Sequence, residues 1–160
     1  MYMDDPRKKF MDMAIDLARE GMNSGVGGPF GCVIVKDNMV VGRGMNSVTS
    51  TNDPTAHAEV VAIRKACDAL GTYQLTGCDL YTSCEPCPMC FGAIYWARPD
   101  NVYYACTRHD AADAGFDDHF IYDQLQSAIE LRKIPMENIA RMSSMEVFEE
   151  WKKKENKQKY

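Results

Sequence analysis

Two stretches of this chain hold residue types that bind a metal and use it. Thr55-Ala56-His57-Ala58-Glu59 offers an imidazole and, two residues later, a carboxylate. Cys84-Glu85-Pro86-Cys87-Pro88-Met89-Cys90 offers thiols. One imidazole and two thiolates suit a borderline-soft ion such as zinc. Cys87 and Cys90 are three residues apart, so on a helix they share a face. Pro86 lies just before them, where a helix can begin without losing a needed N–H. The positive end of that helix favours thiolates. With His57, Cys87 and Cys90 as ligands, a tetrahedral ion keeps one position for water, which is the mark of a catalytic rather than a structural zinc. Glu59 then stands beside the ion as a proton carrier, not as a ligand.

Water next to such an ion ionises at a pKa of about 7. Glu59 can take that proton, hand it to a ring nitrogen, and then protonate a departing amino group. One carboxylate serves both transfers because donor and acceptor lie within a hydrogen bond of one place. The expected chemistry is hydrolytic deamination of an amidine-like C–NH2 in a heterocycle. Two other readings stay open at this point. A C-x-x-C pair alone also serves redox pairs and structural zinc. Cys84 together with His57, Cys87 and Cys90 would close a Cys3His structural site, a zinc-stabilised binding module without catalysis. Glu59 favours the catalytic version, since a structural site has no use for a carboxylate beside it.

The elements that must position these residues are legible in order. Phe10, Met13, Ala14, Leu17 and Ala18 recur at helical spacing and predict a first helix ending near Gly21. Gly25 to Gly31 is a glycine-rich loop without the lysine of a phosphate-binding loop, so its glycines are expected to let backbone approach a neighbour closely. Cys32 to Val35 and Met39 to Gly42 predict a hairpin turning at Asp37-Asn38. Asn46 to Asp53 is a polar loop leading to a helix that carries His57 and ends at Gly71. Leu80-Tyr81-Thr82 is a strand that delivers Cys84, and a second ligand-bearing helix follows, stopped by Pro99. Val102 to Ala105 is a fourth strand. Strands alternating with helices predict a three-layer α/β/α sandwich. A helix over Tyr122 to about Leu131 and a last one capped by Ser143 or Ser144 complete the chain. Without a repeat or a linker, residues 1–160 are expected to form one domain.

Composition narrows the function further. With 160 residues and 46% apolar content the chain can bury a sizeable core. A formal charge of −5 disfavours a large nucleic-acid footprint. Seven cysteines, an odd number, fit zinc and buried thiols in a reducing cytoplasm better than a disulfide framework. Cys32, Cys67, Cys78 and Cys106 have apolar neighbours and are expected in the core. The charged start of the chain is not a signal peptide, and no stretch is long and apolar enough to span a membrane. His109 and His119 are expected to be exposed, with no metal role, and Lys152 to Lys159 to form a solvated face.

H-x-E followed by P-C-x-x-C is the signature of zinc nucleobase deaminases, and the chain resembles the cytidine deaminase superfamily at these residues. Asn52 to Glu59 is also similar to tRNA adenosine deaminases. Gly27-Gly28-Pro29-Phe30-Gly31, Ser83 to Arg98, Asp113 to Asp118 and the closing Tyr160 resemble the bacterial guanine deaminases of that superfamily. Residues 132–157 match more loosely. The resemblance implies a cytidine deaminase-like fold with a mixed sheet of about five strands. It implies one Zn2+ per subunit on His57, Cys87 and Cys90 with a catalytic water, and proton shuttling at Glu59. Asn46 would hydrogen-bond a purine base, Phe30 and Trp96 would line its pocket, Asp118 would accept its ring N–H groups and Tyr160 would reach it with the tail. For guanine, water would add at C2 and Glu59 would protonate N3, giving xanthine and ammonia. A homodimer is implied, with a C-terminal segment of about 135–160 exchanged between subunits.

Overall fold

The computed structural model describes residues 5–160. Its sheet is built around β1 (Gly31–Lys36). The run Cys32-Val33-Ile34-Val35 is buried throughout, as a strand covered on both faces must be. The period of two then divides it: Cys32 and Ile34 join one core cluster, Val33 and Val35 another. β2 (Met39–Met45) returns antiparallel through Asp37-Asn38. Their φ values of 49° and 61° make the left-handed two-residue turn that matches strand twist and that Asp and Asn tolerate. β3 (Cys78–Cys84) pairs antiparallel with the other edge of β1, and β4 (Asn101–Cys106) runs parallel to β3. The sheet is therefore mixed, in the order β2-β1-β3-β4.

Helices cover both faces. α1 (Lys8–Asn23) sets Phe10 and Ala14 against Val33, Val35 and Tyr81. After α2 (Val48–Thr51), a single turn, α3 (Ala58–Leu70) and α4 (Pro88–Ala97) cover the opposite face with Ala58, Ala62, Ala66, Ile94 and Ala97 over Cys32, Ile34 and Leu80. The alanine stripe of α3 lies directly on glycines of β2. A Cβ at Gly44 would fall inside the Ala58 carbonyl oxygen, and one at Gly42 would meet Ala62 and Ala66. This close seating holds the first turn of α3 against the sheet.

The α/β/α layering is as the sequence predicts, with four strands rather than about five. After β4 the Thr107–Asp110 capping box starts α5 (Arg108–Asp113), and the described residues beyond it form only α6 (His119–Gln126), a 3-10 turn (Ile129–Leu131) and α7 (Arg141–Lys153). The chain there has no further run of alternating apolar residues to pair as a strand. α1 passes Gly21, which is buried against Met45 instead of capping the helix. α4 starts at Pro88, not Pro86. α6 stops at Gln126, and α7 begins at Arg141 without a serine cap. Cys32 and Cys78 are buried and Cys67 is half-buried, but Cys106, the last residue of β4, is exposed. The chain divides into two compact units, Met1–Asp118 and His119–Tyr160. No residue of α6, the 3-10 turn or α7 is buried. Among the described residues no helix is long and apolar enough to cross a membrane.

Candidate functional site

The N-terminal ends of α3 and α4 carry the site. His57 is the N-cap of α3, with extended backbone (φ −70°, ψ 155°), and its carbonyl accepts the Val61 N–H at 2.9 Å. Cys87 is the N-cap of α4 in the same conformation (φ −65°, ψ 168°), Pro88 occupies the first helical position, and Cys90 lies one turn in. Capping positions point side chains forward of the helix, toward its positive end. The Nδ1 atom of His57 is 3.5 Å from the Sγ of Cys87 and 3.5 Å from the Sγ of Cys90. A zinc ion with Zn–S of about 2.3 Å and Zn–N of about 2.05 Å at a tetrahedral angle sets sulfur and nitrogen about 3.5 Å apart, so the donor set and its spacing fit that ion. All three ligand atoms lie within 4.8 Å of one another, and this is the one such group of three or more among the described residues. Cys84 does not join it: its Sγ donates to the Thr107 carbonyl at 3.5 Å. The Cys3His arrangement is not formed.

The two thiols of the cluster are driven in opposite directions. A hydrogen bond from Cys90 and another with His57 hold the Cys87 thiol down at about 4, against burial. Cys90, the donor of that pair and itself buried, is pushed up. The bond with Cys87 raises His57. Glu59, in the first turn of α3, is 7% exposed. Burial raises its carboxyl, while Thr82 and Cys90 favour the ionised form by donating to it. Thr82 Oγ1 donates to Oε1 at 3.0 Å and Cys90 Sγ to Oε2 at 3.3 Å.

Other predicted residues fall around this centre. Asn46 is buried at the end of β2, and its Oδ1 accepts the N–H groups of Gly28 and Val48, each at 3.3 Å. The glycine loop is thereby tied to α2, and the amide orientation is set by two fixed donors. Phe30 packs edge-on against Phe116 with ring centroids 4.9 Å apart. Asp118 is half-buried; burial, then the Cys87 charge, raises its carboxyl. The remaining two predicted residues stand on other elements. Trp96 sits in the last turn of α4, about 9 Å along the axis from Cys90 at 1.5 Å per residue, and is 63% exposed. Tyr160 ends the second unit and is 72% exposed. His109 and His119 are exposed, as expected. Sequence reasoning missed three contacts: the Thr82–Glu59 bond, the Phe116 ring against Phe30, and Glu85. The Glu85 carboxylate accepts the Arg108 N–H at 3.0 Å while its own N–H donates to the Cys106 carbonyl at 2.8 Å. Alternation along β3 puts Thr82 on the face of Leu80, a signal that was available; its partner was not.

Similarity to known proteins agrees with this geometry. Residues 4–106 match the family described as "Cytidine and deoxycytidylate deaminase zinc-binding region". The chain is 56% identical to guanine deaminase of Bacillus subtilis over 151 residues, 94% of this chain and 97% of that protein. It superposes on the crystal structure of that Bacillus subtilis enzyme with a TM-score of 0.95, covering 98% of this chain and 99% of the other at 54% identity. A tRNA-specific adenosine deaminase of Agrobacterium fabrum is 46% identical over 99 residues, which are 61% of this chain and 64% of that one. With one imidazole, two thiols and a buried carboxylate gathered at two helix N-termini, the chain belongs to the zinc-binding cytidine and deoxycytidylate deaminase family.

Proposed function

We propose that this protein is a zinc-dependent hydrolase that converts guanine and water to xanthine and ammonia. The observation that carries the substrate is the extent of the likeness. The match to the Bacillus subtilis guanine deaminase spans 151 of 160 residues, so it runs through both compact units, whereas the tRNA deaminase match covers 99 residues. A formal charge of −5 also opposes a polyanionic substrate.

His57, Cys87 and Cys90 would hold the zinc. When bound, the ion acts as a Lewis acid that makes water a nucleophile near neutral pH. Glu59 does the proton work: it accepts a proton from water and delivers it to N3 as the oxygen adds at C2, then takes the proton of the new C2 hydroxyl and passes it to the exocyclic amino group, so that C2=O forms and ammonia leaves. Its burial suits this role, because a carboxyl raised above the ordinary carboxylate range is a stronger base toward water. Asn46 presents its amide NH2 to the base, since Oδ1 is already engaged by two backbone donors. Phe30 stacks one wall of the pocket and Asp118 accepts ring N–H groups of the purine.

Trp96 and Tyr160 complete the pocket in a homodimer whose segment of about 135–160 is exchanged between subunits. Supporting this, Leu131, Ile134, Ile139, Met142, Val147 and Phe148 are all exposed in the single chain. Together, residues 1–160 work as one deaminase domain, acting in the cytoplasm, where seven free thiols are stable. Ammonia release from guanine, adenine, cytosine and cytidine tests the substrate. Release from guanine in preference to the others is expected; none from guanine, with turnover of another base, would overturn the proposal.

A further inference from the structure

Thr82 stands in the interior of the sheet, paired with Cys32 of β1 and Tyr104 of β4, and is 1% exposed. Its side chain belongs to the row that begins with Cys78 and Leu80, both packed in the core beneath α3. Packing alone asks for an aliphatic residue here. A hydroxyl removed from water is costly unless it is hydrogen-bonded, and this one donates to Glu59 Oε1 at 3.0 Å. The opposite oxygen, Oε2, faces Cys90 Sγ at 3.3 Å, toward the cluster with His57 and Cys87. The two carboxylate oxygens therefore have different surroundings: one is held by the sheet, the other is turned to the reacting side.

We propose that Thr82 is a positioning residue for the deamination, anchoring Oε1 of Glu59 so that Oε2 alone carries the proton. The inference rests on the deaminase reading above. The final torsion of a glutamate side chain is broad and shallow, and a carrier that must serve water, a ring nitrogen and an amino group in turn needs its oxygen held within about 0.5 Å. A buried strand supplies that rigidity; the first turn of a helix by itself does not. Thr82 has no role in holding the base or the metal, so its loss should fall on turnover.

The test uses the zinc-loaded full-length protein with guanine, comparing Thr82→Val, Thr82→Ala and Thr82→Ser for kcat, KM and zinc per chain. The valine and alanine variants are expected to lose about 10–100-fold in kcat, as outer partners of catalytic groups do, with KM and zinc content unchanged. Serine, which keeps the hydroxyl, is expected to restore most of the rate. Undiminished kcat in the valine or alanine variant would overturn the proposal. So would a serine variant as slow as valine, or a loss confined to KM or to bound zinc. If the wild-type protein itself releases no ammonia from guanine, the deaminase reading fails instead, a result distinct from an active wild type indifferent to Thr82.

Discussion

His57 and Cys87 occupy equivalent places, each the last non-helical residue before a helix, and their side chains meet at 3.5 Å. This arrangement brings the positive ends of two helices to one point, which suits two thiolates and a buried carboxylate. It also separates the four residues of the centre by role. Cys87→Ser and Cys90→Ser should lose zinc, measured as metal per chain. Glu59→Gln should keep zinc and lower turnover by about 10²–10⁴-fold, the usual worth of a general acid–base group. Cys84→Ser should keep zinc as well, because its thiol is engaged by the Thr107 carbonyl and not by the cluster. Zinc loss in Cys84→Ser would mean that a fourth side chain closes the site and that no position remains for water.

Elements are seated by small residues. α3 rests on β2 through Gly42 and Gly44 against Ala58, Ala62 and Ala66, so the position of His57 depends on a contact with no spare room. Gly44→Ala would drive a methyl group into the Ala58 carbonyl and lift the first turn of α3. The expected cost is about 1–3 kcal/mol, typical of overpacking, seen as a lowered Tm together with weaker zinc retention against a chelator. Gly44→Ala with unchanged Tm and zinc affinity would show that the helix can shift without consequence. β4 behaves differently: its Val102, Tyr104 and Cys106 are exposed. Cys106 should accordingly react with a thiol reagent well before Cys84, which is buried and pushed up to about 11. Peptide mapping after brief labelling at pH 8 checks this order.

At the scale of the whole molecule, the first unit has two cores, one on each face of the sheet, and the second has none of its own among α6, the 3-10 turn and α7. A segment with so many exposed apolar side chains calls for a partner. If that partner is a second copy, light scattering in solution should give twice the chain mass of 18.0 kDa; a monomer would remove the exchanged dimer. The α1-side core makes a separate prediction. Tyr81 is 2% exposed and stacked on Tyr103 at 4.9 Å, and burial, then the charge of Asp79, push its hydroxyl up to about 12. An acid whose pKa is raised on folding keeps its proton longer in the native state than in the unfolded one. Stability is then unaffected below pH 10 and falls as pH rises from about 10 toward 12. Tm measured across that interval should drop, and Tyr81→Phe should flatten the drop.

Much of this protein is decided by short spacings. The two apolar faces of β1, the left-handed turn at Asp37-Asn38, the helix stop at Gly71 and the pairing of an H-x-E with a P-C-x-x-C all follow from neighbours along the chain, because local geometry sets which side chains share a face. Even there, Pro88 rather than Pro86 opens α4, and Gly21 serves packing rather than a helix end. Distances between elements are another matter. Setting Thr82 opposite Cys32 and under α3 takes the register of β1 with β3 and the seating of α3 on β2, and neither is written in any one segment. The same holds for Cys84, whose thiol at the end of β3 meets the Thr107 carbonyl, and for Asn46, which joins Gly28 of the glycine loop, 18 residues back, to Val48 of α2. Residue types named the chemistry; the long-range packing of a few glycines, alanines and strand pairs chose which atoms perform it.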